Sequence, residues 1–212
     1  AASDVYKRQV YGGGPGQSLL AFNRENGKLI WKKADETATH ATPIATTIHG
    51  VRQVIFFCTS GLVSVSPETG VELWRQAFPF KVSTAASPVV AGDLVYCSAG
   101  YGVGAGLYRI SKNGSRFSTA EVWRKKNDMF NHWSTPIYHE GHLYGMFSFK
   151  KYGNGPLQCI ELKTGKTKWS KDGYGPGNVI LSGDKLIALS DNGELSMVNA
   201  TPSNYMELAR RK

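Results

Sequence analysis

Of 212 residues only three are cysteine, and no apolar run approaches the roughly 20 residues that a membrane-spanning helix requires. No stretch beyond about ten residues keeps a helical period without a Gly or Pro interruption. Three thiols, an odd number, neither require nor exclude a disulfide, and none of Cys58, Cys97 and Cys159 forms a CxxC or CxxCH motif, so neither a zinc site nor covalent haem is encoded. The missing apolar run excludes a helical membrane span, and the missing helical period a helical or α/β architecture. Residues 1–9 also lack the apolar stretch and small-residue cleavage site of a secretory signal. They fit the repeat described below poorly and are expected to form a leader outside the fold.

The composition is otherwise that of a globular chain, 41% hydrophobic with a net charge of +9. That charge favours anionic surfaces, but Lys28, Lys32, Arg75, Arg109, Arg124, Lys125, Lys166 and Lys168 are scattered, and only Arg210, Arg211 and Lys212 are contiguous. Scattered cations describe a solvated rim, so nucleic-acid binding is not expected.

The strongest signal is an internal repeat. Asn26-Gly27-Lys28-Leu29-Ile30-Trp31 recurs as Thr69-Gly70-Val71-Glu72-Leu73-Trp74 and as Thr164-Gly165-Lys166-Thr167-Lys168-Trp169, while Trp123 closes a copy with a longer turn through Asn113-Gly114. The four tryptophans are 43, 49 and 46 residues apart, within the roughly 40–50 residues of a four-stranded propeller blade. A second landmark recurs in phase: Ala41-Thr42-Pro43-Ile44, Ala86-Ser87-Pro88-Val89 and Ser134-Thr135-Pro136-Ile137, with Gly177-Asn178-Val179-Ile180 as a degenerate copy. Between landmarks lie alternating segments entered through His49-Gly50, Ala91-Gly92, Glu140-Gly141 or Ser182-Gly183, which are hairpin signals. Each unit is therefore expected to hold four short antiparallel strands. Proline at the head of the first fits a strand beginning. Tryptophan should end the outermost strand, its ring covering a seam between blades and its indole N–H meeting a backbone acceptor. Glycine before it should let backbone approach that ring. Cys58 and Cys97 share one repeat position with Met146 and Leu189, predicting an apolar core column.

Ala21, Asn23, Gly27 and Trp31 resemble the tryptophan-docking pattern Ala-x-Asp-x-x-x-Gly-x-x-x-Trp of quinoprotein alcohol dehydrogenases, as do Ser64, Ser66, Gly70 and Trp74, and Cys159, Glu161, Gly165 and Trp169. The aspartate of the pattern is replaced each time, as is common in the looser pyrroloquinoline-quinone-like (PQQ-like) propellers. The resemblance implies an all-β β-propeller arc of four-stranded antiparallel blades: a partial blade over 10–33, blades over 41–77, 86–125 and 133–171, and a last blade over 177–212. Rings of this family close with about seven or eight blades, so an incomplete ring of poor solubility is expected, its open edges exposed.

Several segments invite chemistry. The glycine-rich stretches 12–16, 100–106 and 152–156 contain no phosphate-binding fingerprint and are expected to be hairpin loops. His139 and His142 flank a turn, a spacing expected to place the imidazoles apart, with no third ligand nearby. The segments leading from each tryptophan to the next first strand are expected to build a channel mouth. They contain Glu36 and His40, Lys81 and Thr84, then Asp128, Asn131, His132 and Trp133, and finally Tyr174, Gly175 and Asn178. Polar groups gathered there could hold a ligand or peptide, with His and Asp as acid–base candidates. His40, Asp128, Asn131, His132, Trp133 and Asn178 are the candidate ligand mouth; Trp31, Trp74, Trp123, Trp169, Gly27, Gly70 and Gly165 are the structural docking set.

The resemblance implies two functions. One is a non-catalytic scaffold, similar to the BamB family of outer-membrane assembly, that binds a protein or peptide partner in the periplasm or another extracytoplasmic space. The other is a dehydrogenase oxidising alcohols or sugars with PQQ and Ca²⁺. That chemistry needs a carboxylate base, carboxylate and amide calcium ligands and commonly an adjacent cysteine pair. No such pair exists, and Glu68, Asp93, Glu140, Asp184, Asp191 and Glu194 fall in hairpins. The expectation is the scaffold, with no catalytic, cofactor or metal residue assigned.

Overall fold

The computed structural model describes residues 2–3, 7–82, 84–147 and 155–212. They form five four-stranded sheets and no helix, each sheet built from strands consecutive in sequence, and no sheet closes on itself. Blade 1 holds β1 (Ala2–Ser3), β2 (Lys7–Tyr11), β3 (Leu19–Asn23) and β4 (Leu29–Lys33). Blade 2 holds β5 (Ile44–Ile48), β6 (Val51–Cys58), β7 (Gly61–Val65) and β8 (Glu72–Ala77). Blade 3 follows with β9 (Val89–Ala91), β10 (Leu94–Ala99), β11 (Gly104–Asn113) and β12 (Arg116–Lys125). Blade 4 has β13 (Ile137–His139), β14 (His142–Met146), β15 (Leu157–Glu161) and β16 (Lys166–Lys171), and blade 5 has β17 (Asn178–Ser182), β18 (Lys185–Leu189), β19 (Leu195–Asn199) and β20 (Glu207–Arg211). Two compact units share these strands. One comprises Ala1–Cys97 with Tyr108–Glu121, the other Ser98–Leu107 with Val122–Lys212.

The leader expected over 1–9 supplies strands instead. Ala2 pairs with Gln9, and Lys7 to Tyr11 pair with Asn23 to Leu19, completing blade 1. Tyr11 anchors the pairing from within: its hydroxyl donates to Phe57 O at 2.9 Å and accepts from Phe57 N at 2.8 Å. Residues 4–6 lie outside the described residues.

Pro43, Pro88 and Pro136 stand immediately before β5, β9 and β13, where a missing N–H costs no ladder bond. The hairpins β5–β6 and β13–β14 turn through His49-Gly50 and Glu140-Gly141, all four residues having positive φ (50°, 75°, 44° and 81°). Two consecutive left-handed residues are the requirement of the type I′ turn, whose twist matches the strands it joins. That register sets His139 directly opposite His142, so both side chains share one face of the hairpin, contrary to the expectation from spacing.

In four blades the ladder from third to fourth strand carries the same irregularity, at Ala21/Phe22, Ser64/Val65, Cys159/Ile160 and Met197/Val198. The bulge places a small residue opposite each tryptophan: Ala21 faces Trp31, Ser64 faces Trp74 and Cys159 faces Trp169. In blade 5 the sizes are exchanged, with Met197 opposite Ala209. The tryptophans lie inside their strands rather than at the ends. Trp31 packs with Leu19, Ala21, Val54, Phe56, Cys58, Val63 and Val65 in one core cluster, and Trp169 with Tyr144, Leu157, Tyr174, Val179 and Leu186 in another.

The indoles stitch blade to blade. Trp31 Nε1 donates to Pro67 O at 2.9 Å, Trp123 Nε1 to Leu162 O at 2.9 Å and Trp169 Nε1 to Thr201 O at 2.7 Å, each acceptor lying just after the third strand of the following blade. Trp74 is the exception: its indole donates to Gln53 Oε1 of its own blade at 2.6 Å. The glycine role also differs from expectation. A Cβ on Gly70 would come within 2.7 Å of the Trp31 ring, so this glycine admits the ring of the preceding blade, not that of its own. Gly27 has open space around it, and Gly165 abuts Lys125 and Met129.

The substituted aspartate position still organises the turn before each tryptophan. Asn23 Oδ1 accepts from Glu25 N at 2.8 Å and Asn26 N at 3.1 Å, Ser66 O accepts from Gly70 N at 2.9 Å, and Glu161 O accepts from Gly165 N at 2.8 Å. Thr164 Oγ1 also donates to the Glu161 carboxylate, holding its pKa below the usual range. The core column of the repeat places Cys58, Cys97 and Met146 in the interior, but Leu189 of blade 5 is 46% exposed.

Candidate functional site

The segment between β12 and β13 is the densest of the expected mouth segments. Asn127 and Met129 have φ of 54° and 52°, a conformation that asparagine tolerates and methionine adopts only when its surroundings compel it. Asp128 Oδ1 accepts from Met129 N at 2.7 Å, while Met129 and Phe130 are buried. Asn131 is 1% exposed and bound on three sides. Its N–H donates to Ser98 Oγ at 3.0 Å, its carbonyl accepts from that hydroxyl at 3.0 Å, and its Nδ2 donates to Met146 O at 2.8 Å. Asn131 therefore ties the segment to β10 and β14, and its amide is committed to the fold.

His132 follows, 5% exposed, between two rings: Tyr101 edge-on at 4.8 Å and Trp133 at 4.1 Å. A Cβ on Gly100 would stand 2.8 Å from His132 Nδ1, so glycine is required for the imidazole to enter. Burial lowers the His132 pKa, which favours the neutral ring at physiological pH and weakens the case for an acid–base role. The flanking rings are exposed, Tyr101 by 72% and Trp133 by 49%. The result is an aromatic surface stiffened by a buried imidazole.

The remaining candidates are placed otherwise. His40 is exposed and lies in the other compact unit, where its N–H donates to Thr84 O at 2.9 Å. Asn178 is exposed at the start of β17, opposite Leu189. The glycine stretch expected to be a loop over 100–106 loops only as far as Val103, since Gly104 to Gly106 belong to β11. Residues 152–154 of the third stretch lie outside the described residues. Tyr101 was missed by the sequence reading; a lone aromatic amid glycines was the available signal. Cys58 and Cys159 are buried, their thiols pushed up to about 12 and about 11 chiefly by desolvation, which makes both poor nucleophiles at neutral pH. Among the described residues no three His, Cys, Asp or Glu side chains come together as a metal site. No helix among them is long and apolar enough to cross a membrane.

Successive four-stranded sheets, tryptophan-docked across their seams, define a β-propeller. The family model described as "Outer membrane protein assembly factor BamB" matches residues 2–171. The chain belongs to that family of PQQ-like propellers. A search of curated proteins found no match. The crystal structure of BamB from Moraxella catarrhalis superposes with a TM-score of 0.62 at 17% identity, over 99% of this chain and 60% of that one. The quinohemoprotein alcohol dehydrogenase from Comamonas testosteroni superposes with a TM-score of 0.61 at 15% identity, over 97% of this chain and 41% of that one. Quinohemoprotein alcohol dehydrogenase ADHIIG from Pseudomonas putida HK5 gives 0.58 at 15%, covering 97% and 40%. At these identities the structural likeness shows the fold alone, and the chain spans 60% or less of each relative.

Proposed function

We propose that this chain is a non-catalytic propeller scaffold of the periplasm, or of another extracytoplasmic space, that binds a protein or peptide partner through the segment from Asp128 to Trp133. The supporting observation is the pair of exposed rings, Tyr101 and Trp133, held against buried His132. Rings fixed in this way offer a large contact area at little entropic cost, the usual make-up of an interface anchor. Membership of the BamB family supports a protein partner within outer-membrane assembly. Its neighbour Asp128 adds a carboxylate to the rim, while Asn131 and Ser98 keep the segment in place.

A photo-crosslinking residue at Trp133, compared with one at an exposed outer-strand position such as Lys168, tests this in cells. The expected result is a discrete adduct from position 133, lost on Tyr101→Ala. Cross-linking no stronger at 133 than at 168 would overturn it. So would turnover with an alcohol or sugar after adding PQQ and Ca²⁺, followed by dye reduction, which would establish the dehydrogenase reading.

A further inference from the structure

The hairpin that joins β13 to β14 sets two imidazoles side by side. His139 pairs directly with His142 across the turn, and His142 pairs in its own right with Glu161 on β15, so the three stand in one row across the sheet and share a face. Residues directly opposite in an antiparallel ladder have Cβ atoms about 4.5–5.5 Å apart. That separation lets two imidazoles reach one ion at the roughly 2.0–2.1 Å of a zinc–nitrogen bond. The turn fixes the spacing, because Glu140 and Gly141, at φ of 44° and 81°, are the two left-handed residues that put 139 opposite 142.

His142 is already oriented as a ligand. Its Nδ1 lies 2.8 Å from Glu140 O, and a carbonyl oxygen only accepts, so Nδ1 carries the hydrogen. The neutral ring then keeps its lone pair on Nε2. Metal-bound histidines have this arrangement, the second ring nitrogen donating to a backbone carbonyl or a carboxylate. Neither imidazole is buried. The His139 side chain is 21% exposed, and its Nε2 is 4.0 Å from the Glu140 carboxylate. Two further carboxylates stand near the pair: Glu161 in the row, and Asp184 of the β17–β18 turn within electrostatic reach of His139. Thr164 holds the first and Lys185 the second, so they act through their charge and not as ligands. In a chain of net charge +9 this gathers negative charge where a cation would arrive. Every residue named belongs to one compact unit.

We propose that His139 and His142 chelate one divalent transition-metal cation, zinc, copper or nickel, through two imidazole nitrogens. Imidazole suits these ions, whereas calcium and magnesium take oxygen ligands. The site is a two-point chelate with water in its other positions, since no three His, Cys, Asp or Glu side chains converge among the described residues. Zinc chloride titrated by calorimetry into the chelator-treated chain at neutral pH is expected to bind one ion per chain. His139→Gln and His142→Gln should each weaken that binding at least tenfold. The double variant should bind no more weakly than either single one, because a lone imidazole cannot chelate. His40→Gln, altered at an exposed histidine of the other compact unit, should bind zinc as the parent chain does. Electron paramagnetic resonance of added Cu²⁺ should show coupling to two imidazole nitrogens in the parent chain and to fewer in His142→Gln. Absence of zinc binding would overturn the proposal, as would a copper signal without nitrogen coupling. So would binding undiminished in either single variant, or losses that add in the double variant, which show two independent sites. Circular dichroism of each variant, unchanged from the parent chain, establishes that loss of binding is not loss of fold. None of these readouts depends on a partner bound at Trp133.

Discussion

The seams between blades 1 and 2 and between blades 2 and 3 are built from the same repeat and closed by different bonds. At the first, Trp31 reaches across to Pro67 O and its ring lies on Gly70. At the second, Trp74 turns back to Gln53, and a cross-blade bond comes from His49, whose Nε2–H donates to Ile110 O at 2.7 Å. The cause is the hairpin of blade 3. β11 and β12 are each ten residues long and turn at Asn113-Gly114, so no short glycine turn stands where Trp74 would dock. The carbonyl remains in place, and a histidine from a type I′ turn takes it. A repeat thus conserves the site of a bond more strictly than the residue that makes it.

Truncating Trp31 breaks the comparison most severely. Trp31→Ala removes a buried ring and one indole bond, and chemical denaturation is expected to show a loss of about 3–5 kcal/mol. Gln53→Leu comes next. Gln53 Oε1 accepts from both Ser64 Oγ at 2.7 Å and Trp74 Nε1 at 2.6 Å in a fully buried position. Stranding two donors should cost about 1–3 kcal/mol. His49→Phe keeps a ring but leaves Ile110 O without its donor. About 1 kcal/mol is expected, and hydrogen exchange should quicken in β11 near Ile110 while the amides around Pro67 are unaffected.

Acidification sharpens the contrast between docked indoles, which do not titrate, and the imidazole of His132. The pKa of His132 is lowered in the folded chain, so the unfolded chain binds more protons as pH falls below the ordinary histidine value of about 6.5. Stability should therefore decline from that pH downward and level off below the folded pKa. His132→Gln should flatten this part of a melting-temperature profile; an unchanged profile would place the acid sensitivity elsewhere.

The blade unit was legible because its marks are local. A proline before a first strand, a glycine turn and a tryptophan a fixed number of residues later express constraints within a few residues of backbone. Partnerships between blades were less legible. Gly70 serves Trp31 across 39 positions, and His49 meets Ile110 across 61, so neither shows in the spacing of a single repeat. The first strands of blade 1 were set aside because they lack the repeat's landmarks, yet pairing with β3 and the internal anchor of Tyr11 define them. Between β12 and β13, Asn131 and His132 were recognised as polar residues in a connecting segment. Their burial, and the exposed Tyr101 beside them, depend on a glycine 32 residues away from His132.

Blades 2, 3 and 4 each keep one thiol in the interior: Cys58 on β6, Cys97 on β10 and Cys159 on β15. Because none reaches solvent in the folded state, alkylation of each reports the opening of its own sheet. Pulsed labelling followed by peptide mass measurement would give three clocks along one chain, resolving whether the blades come apart together or in sequence. If the histidine-latched seam is the weaker one, Cys58 and Cys97 should run on separate clocks.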